Sequence, residues 1–405
     1  MNEQGAGRSG MPEIGSDNPI TYFARTNFRN ERKVFGIKRA DRRAHMYIIG
    51  KTGVGKSTLL ETMIREDVKN GEGFALIDPH ADMVTRVLSN IPDKRKTDVI
   101  YLDVADQSRP FGFNPLAPVT PEKRPLAASG LLEVFKKLWA DSWGPRLEHI
   151  LRNALLALLD QPEATLADVP RLLTDLTFRK SAALRITNRQ VYEFWFKEYE
   201  KYPTNFRAEA IAPIQNKVGA FLANPLLSRI LTQPRNSFDL REIMDTGRIL
   251  LVNLAKGKIG EDTAALLGAL LVSQLGLRAL SRANVPEDKR RDFYLYLDEF
   301  PSYTTQSLVT MLSELRKYRL NLILAHQFLS QLDLQVRDAI LGNVGTLMSF
   351  RLGLQDAELM AKEFYPDVSA SDLVNLPNYN FYLKLMIDGA VSKPFSAETF
   401  KQAAV

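Results

Sequence analysis

The chain has 405 residues, 45% hydrophobic and 25% charged, with a formal net charge of +6. This is ordinary globular material, long enough for a large core and for two domains. The absence of cysteine excludes disulfides and thiolate metal sites, four histidines argue against a dedicated metal cluster, and the mild basicity permits but does not require a polyanionic partner.

Residues 1 to about 18, rich in Gly, Ser, Asn and Glu, read as a disordered tail. The start has no apolar core and is not a secretory signal. The best candidate for a transmembrane helix, Ala264 to Leu280, carries Ser273, Gln274 and Arg278 and reads as too short and too polar. The expected location is therefore cytoplasmic, with peripheral membrane association through a partner left open.

Beyond the tail, short apolar runs recur, each bounded by turn or helix signals: 46–49, 73–77, 99–102, 249–254, 293–297, 321–325, 345–350 and 381–387. Their length and their β-branched and aromatic content predict buried strands. Helical patterns at 57–68, 262–281 and 305–318 alternate with them, which predicts an α/β fold with a mostly parallel sheet covered by helices. Between about 120 and 234 the periodicity is almost only helical, including 145–159 and 188–199 with Asn188 as N-cap. The expected organisation is a motor domain over 19–118 and 236–405, interrupted by an all-α insertion domain over 119–235.

The chemistry begins at Gly50-Lys51-Thr52-Gly53-Val54-Gly55-Lys56-Ser57, which satisfies GxxxxGK[ST]. An apolar strand enters this loop and a helix leaves it. Its glycines let backbone N–H groups face phosphate oxygens, and the helix adds its positive end. ATP is the expected ligand, cradled by Gly50, Thr52, Gly53, Val54, Gly55, Lys56, Ser57 and Thr58. Lys56 is expected to reach the β- and γ-phosphates and Ser57 to hold Mg²⁺. The run Phe293–Leu297 ends in Asp298-Glu299. Asp298 is the second expected magnesium residue, and Glu299 the base that orients and deprotonates the attacking water.

The next run ends in His326-Gln327, whose amide could sense the γ-phosphate or position water. Between the two lies Ser313-Glu314-Leu315-Arg316-Lys317-Tyr318-Arg319, a basic helix expected beside the γ-phosphate end. It reads either as a solvated face or as the source of an arginine for a neighbouring subunit's nucleotide. Arg316 is the first choice, with Arg319 and Arg351 as alternatives. The role of His80 in Asp78-Pro79-His80 stays open. Lys256-Gly257-Lys258-Ile259-Gly260 reads as a short, basic, flexible loop of the kind that contacts substrate.

Together these segments resemble the HerA/FtsK-type hexameric motor ATPases, in particular the branch of conjugative coupling proteins and their soluble relatives. The resemblance rests on IIGKTGVGKST, ALIDPHADM, FNPL at Phe113–Leu116, YLDEF, SELRKYRLNLILAHQ, GNVGTLMSFRLG and the closing NLPNYNFYLKLMIDGAVSKPFSAET. It implies a RecA-like P-loop NTPase core, a homo-hexameric ring and DNA threaded through it, single or double stranded. It also implies Gln327 as sensor and an arginine near Arg316 acting across the subunit interface. Membrane-anchored members begin with transmembrane helices. Their absence from this reading favours a soluble motor, or one recruited to membrane or secretion machinery by another protein. A ring ATPase that energises protein secretion or assembly without moving DNA is the alternative.

Overall fold

The computed structural model describes residues 19–27 and 31–400, so the expected tail over 1–18 lies outside the described residues. The strands are β1 (Ile20–Thr26), β2 (Val34–Lys38), β3 (Met46–Ile49), β4 (Gly73–Asp78), β5 (Val99–Asp103), β6 (Ile249–Asn253), β7 (Phe293–Asp298), β8 (Leu320–His326), β9 (Thr346–Ser349), β10 (Asn380–Lys384), β11 (Met386–Ile387), β12 (Ala390–Val391) and β13 (Phe395–Thr399). Among the described residues, eleven of them form one sheet in the order β2-β1-β13-β10-β9-β3-β8-β7-β4-β6-β5, while β11 and β12 pair separately. From β9 to β5 all neighbours are parallel. From β9 outward to β2 they are antiparallel.

The parallel strands are buried on both faces, which is why they read as continuous apolar runs. Alternate residues face opposite layers. Met46, Ile48, Leu76, Tyr294, Tyr296 and Ile323 pack under the helix Lys56–Lys69 through Leu59, Leu60, Met63 and Ile64. Tyr47, Ile49, Ile77, Val252, Leu295 and Leu324 face the long helix Glu261–Leu280 and its neighbours.

Between β5 and β6 the regular elements among the described residues are all helical, including Arg124–Leu138, Pro145–Leu159 and Thr204–Ala223. Leu131, Leu151, Trp195 and Tyr199 of this stretch belong to the same core as Ile77 and Leu295. Its entry and exit are tied by Asn114. That buried amide donates to the carbonyls of Ala164 (2.8 Å) and Pro234 (3.1 Å) and accepts from the N–H of Leu116 (2.9 Å). Asn188 caps Arg189–Glu193 as expected, accepting from the N–H groups of Gln190 (2.9 Å) and Val191 (3.4 Å). The single helix expected to follow breaks into a wide π turn over Phe194–Glu198 and a 3₁₀ turn over Tyr199–Lys201.

Other expectations are corrected. The run 381–387 is not one strand: Asn380–Lys384 pairs antiparallel with its neighbours, the run breaks at Leu385, and Met386–Ile387 joins the small ribbon. β1, β2 and β13 went unpredicted because they are half-buried strands of the antiparallel edge, with polar and apolar residues mixed along them. The helix expected over 305–318 ends at Glu314, and Leu315–Tyr318 tightens into a 3₁₀ turn before Arg319 reverses the chain at φ 59°. Lys256–Ile259 folds as a one-turn helix in place of the expected loop. Glu261–Asn284 is, by length and composition, apolar enough to cross a membrane, contrary to the expectation. Yet 78% of its apolar window is buried inside the molecule, so its hydrophobicity serves the core.

A buried ion pair ties the sheet to the helix Lys56–Lys69. Arg42 and Asp67 are both almost wholly enclosed. Arg42 donates to Asp67 at 2.5 and 3.0 Å, to Tyr296 Oη at 2.8 Å and to Thr21 Oγ1 at 2.9 Å, and stacks 3.6 Å from the centre of the Tyr294 ring. Tyr296 in turn donates to Asp67 at 2.5 Å. Removing one member strands the other's charge in a low-dielectric interior, so Arg42→Met should cost about 3–5 kcal/mol. A urea-unfolding midpoint equal to that of the parent would contradict this.

Candidate active site

The order β3-β8-β7 places three strand ends side by side, with Ile49 opposite His326 and Asp298 opposite Ala325. The chain beyond each carboxyl end supplies one part of the site. After β3 comes the glycine loop. Gly55 takes φ 115°, and a Cβ there would lie 2.9 Å from the Tyr379 ring. Gly50 runs so close to the neighbouring strand that its Cβ would meet that of Phe350 at 2.5 Å. Larger residues are therefore excluded at both positions. The helix Lys56–Lys69 begins at Gly55 without a side-chain cap, which leaves its first N–H groups directed at the loop.

Lys56 is buried, and its ammonium donates to the carbonyls of Gly50 (2.5 Å) and Lys51 (3.0 Å). Burial lowers its pKa, and the charges of Asp298 and Glu299 oppose that shift. Asp298 ends β7 in an enclosed position. Burial, and then the neighbouring Glu299, push its carboxyl up to about 7, with Lys56 pulling the other way. Glu299, one residue on, sits in the left-handed region at φ 53°, a conformation that a side chain adopts only when its surroundings hold it there.

The parts are joined by one amide. Thr52 Oγ1 donates to Gln327 Oε1 at 2.7 Å, and Gln327 Nε2 donates to Glu299 Oε1 at 2.6 Å. His326, just before it, is buried neutral: it is hydrogen-bonded to Tyr47 Oη (2.6 Å) and Gln331 Oε1 (3.3 Å), and burial drops its pKa to about 3.

Thr52, Gly53, Gly55, Lys56, Ser57, Thr58, Asp298, Glu299 and Gln327 line one cavity of about 240 Å³. Gly50 and Val54 shape the loop behind it, Val54 by accepting the N–H of Tyr379 at 2.7 Å. Two further lining residues stand out. His80 reaches the cavity from a turn after β4, where Asp78 accepts the N–H groups of His80 (2.8 Å) and Val84 (2.9 Å). Tyr379, at φ 69°, covers Gly55 from the far end of the chain, and no sequence signal marked it. The hydroxyl of Ser57 and the carboxylate of Asp298 are hard oxygen donors facing one space, a donor set that fits Mg²⁺.

None of the three candidate arginines lines this cavity. Arg316 is exposed at the entry to β8, at the other end of a strand roughly 20 Å long. It is not beside the γ-phosphate end, because Ser307–Glu314 carries the chain to the opposite sheet edge before β8 returns. Arg319, close by, pairs with Glu287 at 3.4 Å. Arg351 flanks the glycine loop: its carbonyl accepts the N–H of Lys51 (3.0 Å), and its guanidinium donates to Asn378 Oδ1 (2.8 Å) and the Leu376 carbonyl (3.3 Å).

The family model of the type IV secretion-system coupling protein DNA-binding domain matches residues 34–364. No curated protein matches the chain. Among solved structures, the unbound bacterial conjugative coupling protein TrwBdeltaN70 is 19% identical with a TM-score of 0.65, covering 91% of this chain and 88% of that one. The plasmid coupling protein TrwB in complex with ADP and Mg²⁺ is 20% identical with a TM-score of 0.65, covering 97% and 98%. VirB4 of Thermoanaerobacter pseudethanolicus is 14% identical with a TM-score of 0.64, covering 96% and 98%. At these identities the likeness establishes a shared fold.

The raised pKa of Asp298 carries a sign. Its folded value near 7 lies above the ordinary carboxyl value of 3.8, so its contribution to stability is full only below that value and is lost progressively as pH rises from there through about 7. Asp298→Asn should therefore stabilise the nucleotide-free protein by about 1–2 kcal/mol at pH 8 and far less near pH 5. Thermal unfolding of parent and variant at both pH values measures this, and equal midpoints at pH 8 would contradict it.

Proposed function

The chain belongs to the type IV secretion-system coupling protein DNA-binding domain family, and from that premise we propose that it is an ATP-hydrolysing motor that moves DNA as a ring of six copies. The observation that carries the reading is the hydrogen-bonded chain from Thr52 through Gln327 to Glu299, inside a cavity that also holds Lys56, Ser57 and Asp298. A glycine loop binds phosphate in many proteins. An amide linking that loop to a carboxylate sets a water-orienting group and a base beside the phosphates, the arrangement general-base hydrolysis uses.

In this reading Lys56 exchanges its carbonyl partners for the β- and γ-phosphates. The loop N–H groups and the helix start hold the phosphate chain in line. Ser57 and Asp298 are the residues that would hold Mg²⁺, which would supply positive charge against the negative charge developing on the phosphates. Glu299 accepts a proton from the attacking water, whose oxygen forms the new bond to phosphorus as the bond to the leaving ADP oxygen breaks. Gln327, released from Thr52, orients that water and detects the γ-phosphate. Arg316 lies too far away to act on its own cavity, and is the arginine offered to the neighbour's nucleotide.

Lys256 and Lys258 sit just past β6, at the same carboxyl edge as the cavity. Among the described residues neither makes an ion pair, and Lys258 is exposed. They supply the sequence-independent grip on phosphates, on an element tied to the motor sheet. The solved relatives in the same fold include TrwB with ADP and Mg²⁺, and with a non-hydrolysable ATP analogue.

Glu299→Gln should bind ATP with parent affinity and lose roughly 10²–10⁴-fold in turnover, while Lys56→Ala should lose binding itself. Arg316→Ala should keep ATP and lose about 10³-fold or more, poisoning rings when mixed with the parent. DNA should stimulate hydrolysis in a salt-dependent way. Lys256→Ala with Lys258→Ala should remove the stimulation and shrink the salt slope by about one per lost phosphate contact. A Glu299→Gln protein that turns over normally would contradict the base assignment. Assembled rings indifferent to both single- and double-stranded DNA would favour the protein-handling alternative.

A further inference from the structure

Glu299 is held in a left-handed conformation that the rest of the molecule must enforce. The turn that follows it is closed by its own bonds. Ser302 N–H donates to the Glu299 carbonyl at 3.0 Å, and the N–H groups of Tyr303 and Thr304 donate to the Phe300 carbonyl at 3.0 and 3.1 Å. Those bonds use neither the Pro301 nor the Thr304 carbonyl. Both are taken instead by a single side chain from far away in sequence, Lys137, whose Nζ donates to Thr304 O at 2.7 Å and to Pro301 O.

Lys137 lies in the last turn of Arg124–Leu138, within the helical stretch between β5 and β6. The residue is exposed along much of its length, yet its ammonium turns inward onto the two carbonyls. That desolvation pushes its pKa down to about 8, with Asp333 opposing. A lysine free to extend into water gives up hydration here, and what it gains is a grip on the turn. The other side of the turn is held by shape. Tyr303 is buried against Gly268 of Glu261–Leu280, where an added Cβ would stand 2.3 Å from the ring. The two helices that grip the turn also touch each other, Gly130 lying so near Ser273 that a Cβ would be 2.7 Å from its Oγ.

We propose that Lys137 is a positioning residue for Glu299: its ammonium fixes the turn Phe300–Thr304, so that the carboxylate stays against Gln327 and turnover depends on where the helical stretch sits. The inference rests on the hydrolytic reading of Glu299 given above.

The test uses the full chain, with Lys137→Met removing the charge and Lys137→Arg keeping it. Steady-state ATP hydrolysis gives kcat and KM, and binding of a non-hydrolysable ATP analogue gives affinity. Lys137→Met should lower kcat about 10- to 100-fold, the scale of a small misplacement of a catalytic group, with KM and analogue affinity within about threefold of the parent. Lys137→Arg should restore most of kcat. Should Lys137→Met fail to fold, Lys137→Gln stands in under the same criteria. An active parent whose uncharged variant keeps full kcat overturns the assignment. So does a pair of variants that lose kcat and analogue affinity together, since that is a packing effect. A parent with no ATP turnover overturns both this inference and the reading beneath it.

Discussion

Everything in the site depends on β8 lying between β3 and β7. Neighbouring strands stand about 4.8 Å apart, so the ends of the loop strand and the acid strand are roughly 10 Å from each other. That gap is what the terminal phosphates, a cation and a water have to occupy. Gln327, at the end of the middle strand, spans it because a carboxamide has an acceptor for Thr52 and a donor for Glu299. A carboxylate at the same place would repel Glu299, and a hydroxyl would be too short to reach both sides.

Such an arrangement holds only if the strands and the loop helix cannot slide. On one face, Arg42 and Asp67 lock the helix Lys56–Lys69 to Tyr296 of β7, so the glycine loop and the acid strand are tied from behind as well as across the cavity. On the other, the long apolar helix Glu261–Leu280 packs on the sheet and receives Tyr303 from the turn after Glu299. The electrostatic tension at Asp298, whose carboxylate is disfavoured until a cation arrives, is tolerable because these contacts carry the stability of the region.

The parts of the fold legible in the sequence are those whose physics is local. Parallel strands buried on both faces leave continuous apolar runs, and the glycine loop and the acid pair sit at the ends of two of them. Asn188 announced a cap that its side chain makes. What stayed hidden is set by distant chain. β1 and β13 are half-buried and mixed in character, and pair with each other across nearly the whole length of the protein. Tyr379 reaches Gly55 only because β10 and β13 bring the closing segment round to the glycine loop. The charge run around Arg316 looked adjacent to the cavity in sequence. The helix after Glu299 takes the chain to the opposite sheet edge, and adjacency in sequence became a strand's length in space. Lys137 carried no signal, since its partners are backbone carbonyls.

The central claim is that the amide of Gln327 connects phosphate binding to the base. Rapid-quench measurement of a single turnover, with ATP bound to an excess of Gln327→Ala, addresses it without interference from product release. The account predicts ATP affinity close to that of the parent and a chemical step slower by about 10²-fold, the scale of one lost positioning or proton-transfer contact. A single-turnover rate equal to the parent's, with binding intact, would contradict it.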